Sequence, residues 1–240
     1  MSPRLQFAAL SDIGQVRGEN QDRWLIRAEL QLAAVADGMG GMPCGDEAAQ
    51  LAIDRLAALP ADGVPADLSG WGTLLDELNR AVFLLGLDRS PQLGTGTTLT
   101  VVQLQGRHLH IAHVGDSAVF RLRDAGLVQL SREHTVAAEM RERRAAGLVQ
   151  RIPPGAEHIL SSCLGLPYLP QKDVQTTDLL PGDRLLLCSD GLTKPVPAET
   201  IRRWLADADS PAAAAERLVA AANAAGGPDN ITAVVGFFGP

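Results

Sequence analysis

The chain has 240 residues, 46% of them hydrophobic, 4% aromatic and 20% charged, with a formal net charge of −7. A chain of that length buries a sizeable core without disulfide or metal staples, and its balanced composition excludes disorder. The acidic balance argues against a general nucleic-acid binder, no apolar run nears the roughly 20 residues that span a bilayer, and Met1–Leu10 lacks the apolar core of a secretion signal, so a cytoplasmic protein with no membrane contact is expected.

In chain order, Leu5–Leu10, Arg23–Ala28 and Gln31–Ala36 read as strands. The third runs into Asp37 and the Gly-rich turn Gly38-Met39-Gly40-Gly41. Asp46 and Glu47 oppose the dipole at a helix start, and Ala48, Leu51, Ala52, Leu56 and Leu59 follow at helical spacing. Pro60–Gly70 reads as a loop, and Thr73–Leu87 as a second helix with Leu74, Leu78, Val82 and Leu85 on one face. Thr97–Leu104, Arg107–Val114, Ala118–Arg123 and Leu127–Leu130 form a meander of short strands, with turns at Gly106 and Asp124-Ala125-Gly126. His134–Ala146 is a polar helix ended by Gly147, and Arg151–Pro170 an irregular surface segment. Asp183–Ser189 is a strand that meets Asp190-Gly191. Helices follow at Ala198–Ala208 and Pro211–Ala225, the latter capped by Ser210 with Pro211 at its first position, and Ile231–Phe238 is the last strand. Helices thus come in pairs between groups of strands. That pattern predicts an α+β fold of antiparallel sheets flanked by helices, in one domain over residues 1–240.

One pattern recurs. Apolar runs end at Asp37-Gly38, Gly115-Asp116 and Asp190-Gly191, and Asp229 leads into the final strand. A single Asp-Gly is an ordinary turn. Four aspartates at converging strand ends would repel one another unless a cation neutralised them. Carboxylates without His or Cys at matching positions favour Mg²⁺ or Mn²⁺ over zinc. The three cysteines, Cys44, Cys163 and Cys188, are odd in number and far apart, so neither a disulfide framework nor a zinc knuckle is indicated. Upstream, Arg17 offers a bidentate fork for a phosphate, and Asp22 a further carboxylate.

The stretches SDIGQVRGENQD (11–22), VADGMGG (35–41), LGTGTTLT (93–100), HVGDS (113–117), PGDRLLLCSDGL (181–192) and GGPDNIT (226–232) occur in an order that resembles the bacterial metal-dependent protein phosphatases of type 2C. The resemblance covers nearly the whole chain. It implies a four-layer central β-sandwich of two antiparallel sheets flanked by helices, with a dinuclear Mn²⁺ or Mg²⁺ centre at one end. It also implies a monomer that hydrolyses phosphoserine and phosphothreonine in phosphorylated proteins, the products of a Ser/Thr kinase, through a metal-bridging water. Asp37 would bridge the ions with the Gly38 carbonyl on one of them, Asp190 and Asp229 would hold the first, and Asp22 would support the second. Asp116 matches the ligand of a weaker third ion, Arg17 would bind the substrate phosphate, and Ser131 to Cys163 corresponds to a mobile flap. Two divalent ions would take the formal charge from −7 to −3, and a third to −1.

Four positions depart from the family pattern: Met42 replaces its proposed general-acid His, Ala118 its Arg after Gly-Asp-Ser, and Ser162-Cys163 its Thr-Arg. Met42 keeps open an alternative, a catalytically weak pseudophosphatase that binds phosphoproteins as a regulatory module. His134 is the substitute proton donor to test. Losing a general acid typically costs about 10²–10⁴-fold where the leaving group needs a proton. Met42→His is therefore expected to raise turnover of a phosphoserine peptide while leaving p-nitrophenyl phosphate, whose leaving group needs none, nearly unchanged. An equal response of both substrates in steady-state assays would show that Met42 does not stand in an acid's place.

Overall fold

The computed structural model describes residues 3–148 and 151–239. Residues 149 and 150, inside the segment matched to the flap, lie outside it, as do the two N-terminal residues and the last one. In chain order the elements are β1 (Arg4–Asp12), β2 (Asp22–Arg27), β3 (Leu32–Asp37), α1 (Gly45–Ala57), α2 (Leu68–Arg89), β4 (Leu99–Gln105), β5 (His108–Val114), β6 (Ala118–Arg123), β7 (Gly126–Gln129), α3 (Val136–Ala145), β8 (Asp173–Asp178), β9 (Arg184–Cys188), α4 (Asp190–Thr193), α5 (Ala198–Asp207), α6 (Pro211–Ala224) and β10 (Ile231–Gly239). They form two five-stranded sheets, β1-β10-β9-β6-β7 and β2-β3-β4-β5-β8. Every strand pairing is antiparallel. No helix among the described residues is long and apolar enough to cross a membrane.

Strand alternation builds four layers. In β3, Ala33 and Val35 face the other sheet, whereas Leu32, Ala34 and Ala36 pack under α1 and α2. In β9, Leu185 and Leu187 face the sandwich interior, whereas Leu186 and Cys188 meet the layer of α5 and α6. Both faces of these central strands are buried, which is why their sequences run apolar without a break. The α+β sandwich flanked by helix pairs is therefore the fold observed.

The outcome differs from expectation at two elements. Helix α2 starts at Leu68, five residues earlier than Thr73, because the Asp67 carboxylate caps it by accepting the Gly70 N–H at 2.8 Å and Trp71 is fully buried. The last three residues of the expected Pro60–Gly70 loop thus belong to the helix. Strand β8, Asp-Val-Gln-Thr-Thr-Asp, lacks an apolar pattern because it is a polar edge strand. Its pairing with β5 sets His110 opposite Thr176, and the two side chains hydrogen-bond at 2.8 Å. His110 is thereby buried and not at the surface, where it would lie if β5 were an edge.

A buried asparagine joins α2 to the segment following the flap. Asn79 donates to the carbonyls of Leu166 and Tyr168 and accepts the N–H groups of Gly165 and Leu166. Next to these, Leu164 exchanges backbone hydrogen bonds with Thr97, which in turn donates through its hydroxyl to the Asp37 carbonyl. Asn79→Ala leaves these backbone groups without their partner and is expected to lower stability by about 2 kcal/mol, read by urea unfolding. An unchanged midpoint would show that this brace contributes nothing to the fold.

Candidate active site

The antiparallel register sets Asp22 directly opposite Asp37 at one end of the second sheet. Asp116 follows β5, Asp190 opens α4 after β9, and Asp229 precedes β10. Strands of both sheets thus deliver carboxylates to the same end of the sandwich. A cavity of about 380 Å³ there is lined by Arg17, Asp37, Gly38, Asp116, Asp190 and Asp229, together with Lys194, His158, Gln21 and Asn230 among others. Of the expected metal ligands and the phosphate-binding arginine, all except Asp22 line it, and Asp22 is buried next to Asp37.

The local backbone explains the recurrent Asp-Gly. A Cβ on Gly38 would come within 2.3 Å of the Gly45 carbonyl oxygen, and one on Gly191 within 2.0 Å of the Asn230 carbonyl oxygen. Each glycine lets a second chain segment pass against the turn that carries the aspartate. Asp37 is fixed through its main chain: its N–H donates to the Thr98 hydroxyl at 3.0 Å, and its carbonyl accepts from Thr98 N–H and the Thr97 hydroxyl at 2.9 Å each. Asp22 is pinned from the opposite sheet, where Ser189 and Thr232 donate to its Oδ2 at 2.7 Å each. Its other oxygen, Oδ1, is buried with no partner.

These carboxylates disturb one another. Burial first, then Asp22, Asp190, Asp116 and Asp229, holds Asp37 well above the ordinary carboxylate range. Burial pushes Asp22 up to about 6 against the pull of the two hydroxyls, with Asp190 and Asp229 adding to the rise. Burial and the Asp190 charge push Asp116 up to about 7, partly opposed by Lys194. Two cations meet this charge. Arg17 donates to Asp229 Oδ2 at 2.8 Å, and the Lys194 ammonium contacts Asp190 and lies 3.9 Å from Asp116. Among the described residues, no three His, Cys, Asp or Glu side chains form a ready-made metal cage. The donor set nevertheless suits hard divalent ions: oxygen ligands in mutual repulsion, with an orphaned buried oxygen on Asp22.

Several participants went unrecognised in the sequence. Asn230 donates to the carbonyls of Ile13 and Glu19 and accepts the Gln21 N–H, so it clasps the loop that carries Arg17. The Arg17 guanidinium lies over Gly40, where a Cβ would come within 2.8 Å of its Nη1. Lys194 was legible as the residue one helical turn after Asp190. The histidine lining the cavity is His158, not His134. His134 is buried, accepts the Gly115 N–H through Nδ1 and stacks on His113 at 5.1 Å. His113 donates through Nε2 to the Gly115 and Arg132 carbonyls, and burial followed by its neighbour His134 lowers it to about 3. This pair braces the turn before Asp116 and does not face the cavity. Met42 also stays out of the lining, with its methyl end toward Gly94.

The sequence model of the family "Protein phosphatase 2C" matches residues 15–224. The chain belongs to the protein phosphatase 2C family. Among curated relatives, the serine/threonine protein phosphatase PstP of Mycobacterium tuberculosis is 37% identical over 233 residues, covering 96% of this chain. The chain spans only 44% of PstP's length. Protein phosphatase PhpP of Streptococcus pneumoniae is 34% identical over 241 residues, covering 95% of both chains. The structure of the PstP catalytic domain, solved in complex with two manganese ions, superposes with a TM-score of 0.83 at 36% identity, covering 99% of this chain and 100% of that one.

In this phosphatase-family chain the raised carboxyl groups bind more protons folded than unfolded between the ordinary value of 3.8 and about 7. Stability of the metal-free protein should therefore fall as pH rises through that window. Asp22→Asn is expected to flatten the decline in urea unfolding of EDTA-treated protein between pH 4 and 8. A variant as pH-sensitive as the parent would remove Asp22 as its source.

Proposed function

We propose that this chain is a serine/threonine protein phosphatase, hydrolysing phosphoserine and phosphothreonine in proteins phosphorylated by a Ser/Thr kinase. The observation that carries the reading is the convergence of Asp22, Asp37, Asp116, Asp190 and Asp229 with Arg17 around one cavity, in a chain of the protein phosphatase 2C family. The manganese pair in the PstP catalytic-domain structure supports a dinuclear Mn²⁺ or Mg²⁺ centre here. Its ligands on this reading are Asp37 between the ions with the Gly38 carbonyl, Asp190 and Asp229 on the first, and Asp22 supporting the second. When bound, such ions supply an activated bridging water and Lewis-acid stabilisation of the phosphoryl oxygens.

The remaining work falls to the chain. Arg17, 43% exposed at the cavity rim, can turn its planar fork from Asp229 to two phosphoryl oxygens and hold phosphorus in line for attack. Asn230 and Gly40 fix the loop and the surface against which it does so. Asp22, beneath the floor, orients through its two hydroxyl partners and adds negative charge under Asp37. Residues 131–163 act as the flap over the entrance, bringing His158 to the cavity. The same reading takes residues 1–240 as one catalytic unit, acting as a monomer in the cytoplasm.

The test is turnover of a phosphothreonine peptide. Activity should appear with Mn²⁺, vanish with chelator and fall at least about 10²-fold in Asp190→Ala. Binding of the phosphopeptide without turnover would favour the pseudophosphatase alternative that Met42 raises, and turnover surviving prolonged chelation would sink the metal assignment.

A further inference from the structure

Lys194 is one of only two lysines in the chain, and it stands where the acidic cluster is densest. It follows the short helix α4, and its backbone N–H donates to the Asp190 carbonyl at 2.9 Å. That one-turn spacing returns its ammonium to the Asp190 side chain, where Nζ is in hydrogen-bond contact with Oδ2. The same Nζ lies 3.9 Å from Asp116 Oδ2. The side chains of Asp116 and Asp190 are only 10% and 13% exposed, so water does little to separate their charges. The two carboxylates flank one strand pairing, Asp116 two residues before Ala118 of β6 and Asp190 two residues after the opposite residue Cys188 of β9, and the ammonium links them.

We infer that Lys194 is a built-in counter-ion that takes the place of a third metal between Asp116 and Asp190 and leaves this chain with a two-ion centre. An ammonium and a third divalent ion would need the same Asp116 and Asp190 oxygens, and the tethered positive charge a few ångströms away repels that ion, while the second oxygen of Asp190 is left for the first. The tether also gives the ammonium a standing advantage, because its local concentration does not depend on free metal. Arg17 differs in kind. It reaches Asp229 from a loop and is 43% exposed, whereas Lys194 is anchored one turn from its partner and is 34% exposed. The inference rests on the proposed two-ion reading but goes beyond it, since the sequence resemblance alone put a third, weaker ion at Asp116.

Counting ions tests it without using activity. Metal-stripped protein is dialysed to equilibrium against rising Mn²⁺, and bound metal per chain is measured by elemental analysis. The parent and Lys194→Arg should saturate at two ions. Lys194→Met, which keeps length and loses charge, should take a third, and Lys194→Met combined with Asp116→Asn should return to two. Metal-free Lys194→Met should also melt below the metal-free parent and regain more than the parent on adding Mn²⁺. If Lys194→Met folds poorly without metal, Lys194→Gln and the parent's own count carry the test. A parent that binds three ions, or a folded Lys194→Met that still binds two, overturns the role of Lys194 while leaving the metal reading intact. A parent that binds none overturns the metal reading itself.

Discussion

Burying like charges together is the constraint around which this molecule is arranged. Asp22 and Asp37 face each other across one strand pair, and Asp116, Asp190 and Asp229 arrive from other strand ends. In a low-dielectric floor each carboxylate raises the cost of ionising the next. The fold tolerates this because the rest of the sandwich is so apolar. Three separate clusters, one between the sheets and one under each helix layer, supply the burial that offsets it. The price of the site is thus spread over the core, and on the proposed reading a divalent ion would act as a folding ligand as well as a chemical one.

Close backbone approach is the second condition, and it follows from the first. Carboxylates from two sheets converge only if the turns carrying them nearly touch other segments. Gly38 against Gly45 and Gly191 against Asn230 are those contacts. The cavity then needs rigid walls, and side chains remote from its chemistry provide them. Asn79 ties the segment beyond the flap to α2, Asn230 ties the Arg17 loop to β10, and the His113–His134 stack ties the flap's first residues to the turn before Asp116.

Much of this was legible in the sequence because it is local. An apolar run ending in Asp-Gly announces both a buried strand and the carboxylate at its tip, and helix pairs between strand groups announce the layers. What was illegible is relational. β8 has no apolar rhythm, since an edge strand needs only a partner, and β5 supplied it. Without β8, β5 would be an edge strand and His110 would lie exposed. The start of α2 was hidden by Gly70 and Gly72, whose weak helix propensity is outweighed by the Asp67 cap and the burial of Trp71. Among the histidines, sequence position favoured His134, but the fold turns it into the wall and brings His158 to the cavity. Lys194 is one turn from Asp190 in any reading, yet only the pairing of β6 with β9, which sets Ala118 opposite Cys188, shows that it also reaches Asp116.

The two cations of the site divide the labour by how they are held. Asp229 Oδ2 accepts from Arg17, and the same carboxylate is wanted by a metal on the proposed reading. On that reading an ion at Asp229 would weaken the pair and free an exposed guanidinium at the rim, where a phosphoryl group would enter. Arg17 would then gain in the phosphate what it loses in the aspartate, so metal and phosphate would assist each other through a shared residue. Lys194 makes no such exchange, because its partner lies one turn away and its ammonium is already between two carboxylates. On the proposed reading the exposed cation serves the substrate, and the anchored one serves the carboxylates, holding Asp116 and Asp190 together.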